Sequence, residues 1–264
     1  MFYKMVATGN DFVVLDNRKK VITDGPSFAR KVCDRHFGIG GDGLLLLENS
    51  GKADYKMRII NADGSEAEAC GNGFRCIALL AHEKLGFAKR QCFESLAGII
   101  DATVGADKVR VRLMDPKDLS GEEKIALNGR ELPYYFIRVG VPHVVMFVKT
   151  ITDFPVMEMG RDIRNHEKFA PAGTNVNFVE VKDSYTIHVD TYERGVEANT
   201  LACGTGSTAS AIVSAVIGRV KPPVRVKTRG GETLTIDFEK KGEKIHNVYL
   251  EGKARLVFEG TLKS

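Results

Sequence analysis

The 264-residue sequence has no tryptophan, only eight prolines and five cysteines, and just 8% aromatic residues. An odd number of cysteines does not suit a disulfide framework, and the count favours reduced thiols. The N-terminal Met1-Phe2-Tyr3-Lys4-Met5-Val6 enters a strand-like pattern at once instead of the long apolar region of a signal peptide. No apolar stretch reaches the roughly 18 residues of a membrane span. Charge of one sign is missing too. The 38 basic and 34 acidic residues leave a formal net charge of +4, and Lys and Arg are scattered, which argues against a nucleic-acid surface. These absences lead to the expectation of a cytoplasmic protein with neither membrane nor nucleic-acid partners. The 43% hydrophobic and 27% charged residues are ordinary for a globular protein, and the length suits one large domain or two of about 130 residues.

What the chain does have is glycine, 27 residues of it, and a string that occurs twice: Ala69-Cys70-Gly71-Asn72-Gly73 and Ala202-Cys203-Gly204-Thr205-Gly206. The copies sit 133 positions apart (203 − 70), about half the chain. Gly9-Asn10-Asp11-Phe12-Val13-Val14 and Gly140-Val141-Pro142-His143-Val144-Val145 repeat with nearly the same offset. Shared order and spacing point to an internal duplication.

Most remaining segments read as strands. Tyr55 to Ile60, Lys108 to Leu113, Tyr185 to Tyr192 and Thr233 to Phe238 alternate apolar with polar residues. Leu44 to Leu47 is continuously apolar, as in a strand buried on both faces, and Asn61 to Ser65 carries turn residues. Pro26 to Phe37 reads as an amphipathic helix. Phe74 to Leu85 and Ser207 to Ile217 follow the repeated cysteines and end at Gly86 and Gly218. The second of these has no charge and the first almost none before its last turn, so both should be surrounded by protein, with glycine at C′. The expected fold is α/β (α+β): two pseudo-symmetric halves, each a curved, mostly antiparallel sheet wrapped around a buried central helix, with the active site in the cleft between them. Polar and turn residues from Pro116 to Gly121 place the boundary between residues 1–117, carrying Cys70, and 118–264, carrying Cys203, with the last strand able to pack back on the first half.

A thiol at a helix N-terminus lies at the positive end of the macrodipole, which favours thiolate. The flanking glycines leave backbone N–H groups open to a carboxylate. Two such starts could hold one carboxylate and set a thiol on either side of the adjacent carbon. One thiolate would then remove the α-proton while the opposite thiol delivers another, the N–H dipoles stabilising the developing charge. Cys33, Cys76 and Cys92 lack the glycine context and read as small buried hydrophobes. The spacing of Cys70 and Cys76 is too wide for common zinc motifs, so neither a metal nor a cofactor is expected. A Cys70–Cys203 disulfide would suit an inactivated state better than a staple of the fold.

Six segments in order resemble the diaminopimelate epimerase family: Gly9 to Phe12, Gly38 to Asp42, Asn61 to Glu66, Ala69 to Cys76, Tyr192 to Gly195 and Ala202 to Gly206. The resemblance spans nearly the whole chain. It implies a pyridoxal-independent enzyme that interconverts LL- and meso-diaminopimelate, with Cys203 accepting the proton and Cys70 donating one in the LL-to-meso direction. It further implies that His143 and Glu193 assist proton movement. Gly71-Asn72 and Gly204-Thr205, with Asn10 nearby, would hold the reacting carboxylate, and Asn61, Asn175, Glu193 and Arg194 the distal end. A planar guanidinium such as that of Arg194 can bind both oxygens of a distal carboxylate. Homodimerisation and a small amino-acid substrate are likewise implied by the resemblance alone.

The chain departs from the family pattern at Val141, where Asn is usual, at Gly43, where Gln is common, and over Val196 to Thr200, which is one residue longer. The thiol chemistry survives these changes, while the width of the substrate range is left open. The nearest rival is the same chemistry on another amino acid, as in a lysine or histidine racemase. Proline racemase-like proteins share the implied fold with different cysteine-flanking motifs, and phenazine-type isomerases share it without the thiol pair. Redox-responsive dithiol and non-catalytic binding proteins are more remote readings.

Overall fold

Alternating, β-branched segments joined by glycine turns become strands throughout the chain. A computed structural model describes residues 1–127 and 129–262. Residues from Met1 to Arg112, together with the segment from Glu251 onward, form one compact unit, and Leu113–Leu250 form another. The division falls after Arg112, ahead of the polar stretch that suggested Lys117. Leu113 N–H already donates to Val248 O at 2.9 Å, and Lys117 pairs with Arg138. Among the described residues no helix is long and apolar enough to cross a membrane.

In the first unit the hairpin Phe2–Ala7/Asn10–Asp16 is antiparallel, and Arg255–Gly260 pairs with its first strand. Asn10–Asp16 then runs parallel to Gly43–Glu48, which is antiparallel to Tyr55–Asn61. Tyr55–Asn61 runs parallel to Arg90–Ser95, and the antiparallel strands Gly98–Val104 and Val109–Arg112 follow. The second unit repeats this path. The hairpin Arg130–Val139/Val141–Phe147 runs parallel to Asn175–Asp183, which is antiparallel to Thr186–Glu193. Thr186–Glu193 runs parallel to Val224–Thr228, itself antiparallel to Thr233–Lys241. Even the short strands correspond: Glu66–Ala67 lies on Tyr55–Asn61, and Ala198–Thr200 on Thr186–Glu193. The duplication read from two short motifs extends to the order and direction of these strands.

Each parallel step needs a crossover, and the four α-helices among the described residues occupy these crossovers in pairs. Helices α1 (Gly25–Cys33) and α3 (Val156–Arg164) take the first crossover of each unit. Helices α2 (Gly71–Leu85) and α4 (Gly204–Val216) take the second. Strands of its own unit surround α2 and likewise α4. Buried residues run from Asn72 to Ala81 in α2 and from Gly206 to Ser214 in α4. Two buried hydroxyls of α4 are met locally: Thr208 Oγ1 donates to Gly204 O at 2.9 Å and Ser214 Oγ to Ser210 O at 2.6 Å. Leu44–Leu47, at 0% exposure, is the doubly covered strand its apolar run predicts.

Helix α1 ends at Cys33, four residues short of the expected Phe37. The Asp34 carboxylate accepts from the N–H groups of His36 and Phe37, each at 2.7 Å, and turns the chain into a tight loop. Helix α3 has no counterpart in the sequence reading. Only Val156, Gly160 and Ile163 are buried on it, too sparse a stripe to recognise. A Cβ at Gly160 would collide with the Tyr192 side chain, so glycine lets α3 lie directly on the strand that ends in Glu193. Cys33 and Cys76 are buried as expected, whereas Cys92 is only half-buried. It lies on a strand close to the Asp54 turn, and Asp54 Oδ2 takes its N–H.

Candidate active site

Both repeated cysteines are the N-cap residues of their helices. Cys70 has φ −150°, ψ 109° and Cys203 has φ −116°, ψ 114°, extended conformations from which a side chain can reach back to the first turn. The reach is the same in both. Gly73 N–H donates to Cys70 Sγ at 3.5 Å, and Gly206 N–H to Cys203 Sγ at 3.4 Å. Sulfur thus takes the place that Ser or Asp oxygen occupies at an ordinary cap, at the positive end of the helix dipole. A Cβ at Gly206 would fall on Asn177 Oδ1, and one at Gly73 would meet Met57 Cε at 3.1 Å. Close approach is therefore what glycine supplies at these two positions.

Around Cys70 the structure gathers Asn10 and Asn72 through charged partners. Asp42 Oδ2 accepts from Asn10 Nδ2 at 2.5 Å and from Asp11 N–H at 3.1 Å. Because a carboxylate only accepts, Asn10 must present its NH₂ there and its carbonyl elsewhere. That carbonyl accepts from Asn72 Nδ2 at 3.3 Å and from the Cys70 thiol at 3.7 Å. Asn72 is oriented in turn by Thr8 Oγ1 and Arg75 Nη2, which donate to its oxygen at 2.7 and 2.8 Å. Arg75 is wholly buried, and its guanidinium also donates to Gly71 O, Thr8 Oγ1 and Lys253 O. Arg35 bridges Asp11 and Asp42 at 2.8 and 2.7 Å, and Lys4 pairs with Asp11 at 2.6 Å. Burial opposes ionisation of Asp11, but hydrogen bonds from Arg35 and Lys4 prevail and hold its carboxyl down at about 2. Asn61, the exposed last residue of its strand, pairs with Gly43 beside Asp42, and its Nδ2 donates to Ser65 Oγ at 2.9 Å.

Thr205 Oγ1 lies 3.5 Å from Cys203 Sγ. His143, at 0% exposure, sits opposite Asn175 on the parallel pair of strands. Burial first, and the Arg194 charge second, push its imidazole down to about 3, so His143 is neutral over the ordinary pH range. Asn175 has both ends of its amide engaged: Nδ2 donates to Pro142 O at 3.2 Å and Oδ1 accepts Arg194 N–H at 2.9 Å. It braces the turn that carries Arg194. The Arg194 guanidinium donates to Ala172 O and Gly173 O. Glu193 accepts from Thr200 Oγ1 at 3.1 Å, yet burial outweighs that bond and raises its carboxyl pKa.

The first unit thus unites Cys70, Asn10, Gly71 and Asn72. The second holds Cys203, Gly204 and Thr205 at one helix start, and His143, Asn175, Glu193 and Arg194 on neighbouring strand ends. Sequence reasoning assigned no role to Asp42, Thr8, Arg75, Asn177 or Thr191. Asp42 and Arg75 lie inside motifs already singled out, which was the available signal. Asn177 and Thr191 read as ordinary strand residues.

The sequence matches the diaminopimelate epimerase family over residues 2–117 and 135–257. It is 46% identical to the diaminopimelate epimerase of Aquifex aeolicus, covering 99% of this chain and 97% of that protein. With that of Archaeoglobus fulgidus it shares 41% identity over 99% of this chain and 96% of the relative. Among solved structures, a PhzF-family phenazine biosynthesis protein from Bacillus anthracis matches with a TM-score of 0.75 at 16% identity, covering 99% and 98% of the two chains. A hydroxyproline epimerase from Agrobacterium vitis matches with a TM-score of 0.70 at 16% identity, covering 97% and 88%. These distant likenesses establish the fold: a mixed α+β architecture of curved sheets around few helices.

Proposed function

The chain belongs to the diaminopimelate epimerase family and is an isomerase, and on that premise we propose that it converts LL-diaminopimelate to meso-diaminopimelate without a cofactor. Its place would be the synthesis of lysine and of peptidoglycan precursors, in the cytoplasm and as a homodimer. The observation that supports this reading most directly is the repeated sulfur cap, in which two thiols occupy the same position at the starts of two duplicated helices.

Inversion at carbon requires loss of a proton from one face and gain of one on the other. In the LL-to-meso direction the Cys203 thiolate takes the α-proton, so that a C–H bond breaks and an S–H bond forms. The Cys70 thiol gives its proton to the opposite face and leaves as thiolate. Negative charge moves from the Cys203 sulfur through the substrate carboxylate to the Cys70 sulfur. The N–H groups of Gly71-Asn72 and Gly204-Thr205, with Asn10, hold that carboxylate and stabilise it as charge develops. His143 and Glu193 assist proton movement at the thiols, and Asn61, Asn175, Glu193 and Arg194 bind the distal amino-acid end. Val141 and Gly43 support a second reading, the same chemistry on another amino acid, which the names of the relatives do not favour.

The test is solvent exchange in deuterated water with reduced protein and no added pyridoxal phosphate, using diaminopimelate stereoisomers, lysine, histidine and proline. Deuterium is expected at the α-carbon of diaminopimelate alone. Equal exchange into lysine would remove the strict substrate assignment, and no exchange into any of them would remove the chemistry.

A further inference from the structure

His143 Nε2 is buried and has no hydrogen-bond partner among the described residues. A buried polar atom left without a partner needs an explanation. The other ring nitrogen has one: Asn177 Nδ2 lies 3.2 Å from His143 Nδ1. The orientation of that amide follows from its remaining contacts. Asn177 Nδ2 also lies 2.8 Å from Val144 O, and a backbone carbonyl can only accept, so the NH₂ must face it. On the other side Thr191 Oγ1 donates to Asn177 Oδ1 at 3.0 Å. With both amide hydrogens committed, one to Val144 O and one to His143 Nδ1, the imidazole must accept at Nδ1 and carry its proton on Nε2.

We propose that Asn177 is a positioning residue that locks His143 as a neutral imidazole with its hydrogen on Nε2, making His143 a hydrogen-bond donor to an anion in the reaction and not a carrier of protons. The proposal rests on the reading of His143 as a site residue and narrows its assistance to proton movement to stabilising the anion that a proton leaves behind. Its physical basis is the fully buried triad Thr191–Asn177–His143. Nδ1 is occupied by an amide hydrogen, and a second proton there would need a cationic ring inside the core. Burial and the nearby Arg194, the charged side chain acting on the ring, both oppose that charge. A neutral donor aimed at a thiolate or carboxylate stabilises the anion without giving up its hydrogen. The same triad touches the cysteine cap, since Asn177 Oδ1 occupies the space that a Cβ at Gly206 would need. A change in the amide is therefore felt at both the ring and the helix start.

The tautomer can be read directly by nitrogen-15 NMR of histidine-labelled protein at neutral pH, with the His143 signal assigned by its loss on substitution. The expected spectrum shows a neutral ring protonated at Nε2 in the wild type. In Asn177→Asp the new carboxylate can only accept, so the proton should move to Nδ1. Kinetics supply the second measurement. Glutamine can place an amide N–H near the position of Nε2 but cannot shuttle a proton. His143→Gln should lower kcat by about tenfold, and His143→Leu by about 100-fold or more. A wild-type ring protonated at Nδ1, or an imidazolium at neutral pH, would overturn the proposal, as would equal losses in His143→Gln and His143→Leu. If Asn177→Asp does not fold, the wild-type spectrum and the two His143 variants decide the matter. The spectrum is independent of turnover: an Nε2–H ring in a protein without epimerase activity would uphold the tautomer and sink the functional reading.

Discussion

The helix starts at Cys70 and Cys203 share a backbone and differ in nearly everything around it. Both sulfurs accept the N–H three residues on, at 3.5 and 3.4 Å. Behind Cys70 stands a charged assembly of Asp42, Asp11, Arg35, Lys4 and the buried Arg75. The amide triad near Cys203 is neutral, with Asn177, Thr191 and an uncharged His143. The difference teaches that the cap geometry needs only a cysteine and two glycines, whereas the polarity around each thiol comes from residues elsewhere in its unit. At Cys70 the orienting group presents a carbonyl to the thiol, an arrangement suited to holding a proton on sulfur until it is needed. If both thiols handle one α-carbon, such unlike surroundings would give the two faces different duties.

The largest effect should come from the sulfurs themselves. Cys70→Ala and Cys203→Ala should each reduce net epimerisation by at least about 10³-fold. Each should cost no more than about 1 kcal/mol of stability, the size of a lost cap. Activity assays with denaturant melts check both, and an active single variant would break the two-base scheme. Arg75→Ala is expected to destabilise by about 3–5 kcal/mol, since it strips a buried guanidinium from several oxygens at once. Thr191→Val should cost only about 1 kcal/mol, because a single neutral hydrogen bond is lost. Urea unfolding of the two variants would measure how much more the charged surroundings contribute than the neutral ones.

The two glycines sharpen the comparison further. Gly206→Ala should destabilise by about 1–3 kcal/mol, because its Cβ must displace the hydrogen-bonded Asn177 amide. Gly73→Ala meets the flexible end of Met57 at 3.1 Å and Leu45 Cδ2 at 3.4 Å and should fall within about 1 kcal/mol of the wild type, helped by the better helix propensity of alanine. Similar unfolding midpoints for the two would contradict this account of close packing.

A last difference lies in acid stability. The Asp11 carboxyl is depressed, so its contribution is complete above the unfolded-chain value near ~4 and is lost as pH falls toward about 2. The His143 imidazole is depressed as well. Its contribution is complete above ~6.5 and is lost as pH falls toward about 3. Asp11→Asn should therefore flatten the stability profile only below about pH 4, and His143→Gln between about 6.5 and 3. Denaturant midpoints measured across that pH range would show whether the two substitutions act in these separate windows.

Much of this was legible in the amino-acid order. A cysteine followed by two glycines and an apolar run marked both helix starts, because cap, close approach and burial are local demands. Leu44–Leu47 and the alternating strands were legible for the same reason. Helix α3 was not, since its three-residue stripe gains meaning only against Tyr192. The end of α1 depended on which N–H groups the Asp34 carboxylate would take. The orienting partners were out of reach as well. Asp42 acts on Asn10 from 32 positions away, and Asn177 on His143 from 34, and no short window contains either pair.

By itself the sequence determined the duplication, the two sulfur-capped helices and the family to which the chain belongs, all carried by residues that are neighbours in the chain. The tertiary structure alone decided which way each buried amide faces and which ring nitrogen of His143 is left to donate. Those choices follow from carboxylates and carbonyls that can only accept hydrogen bonds, and folding is what brings such groups to the amides they orient.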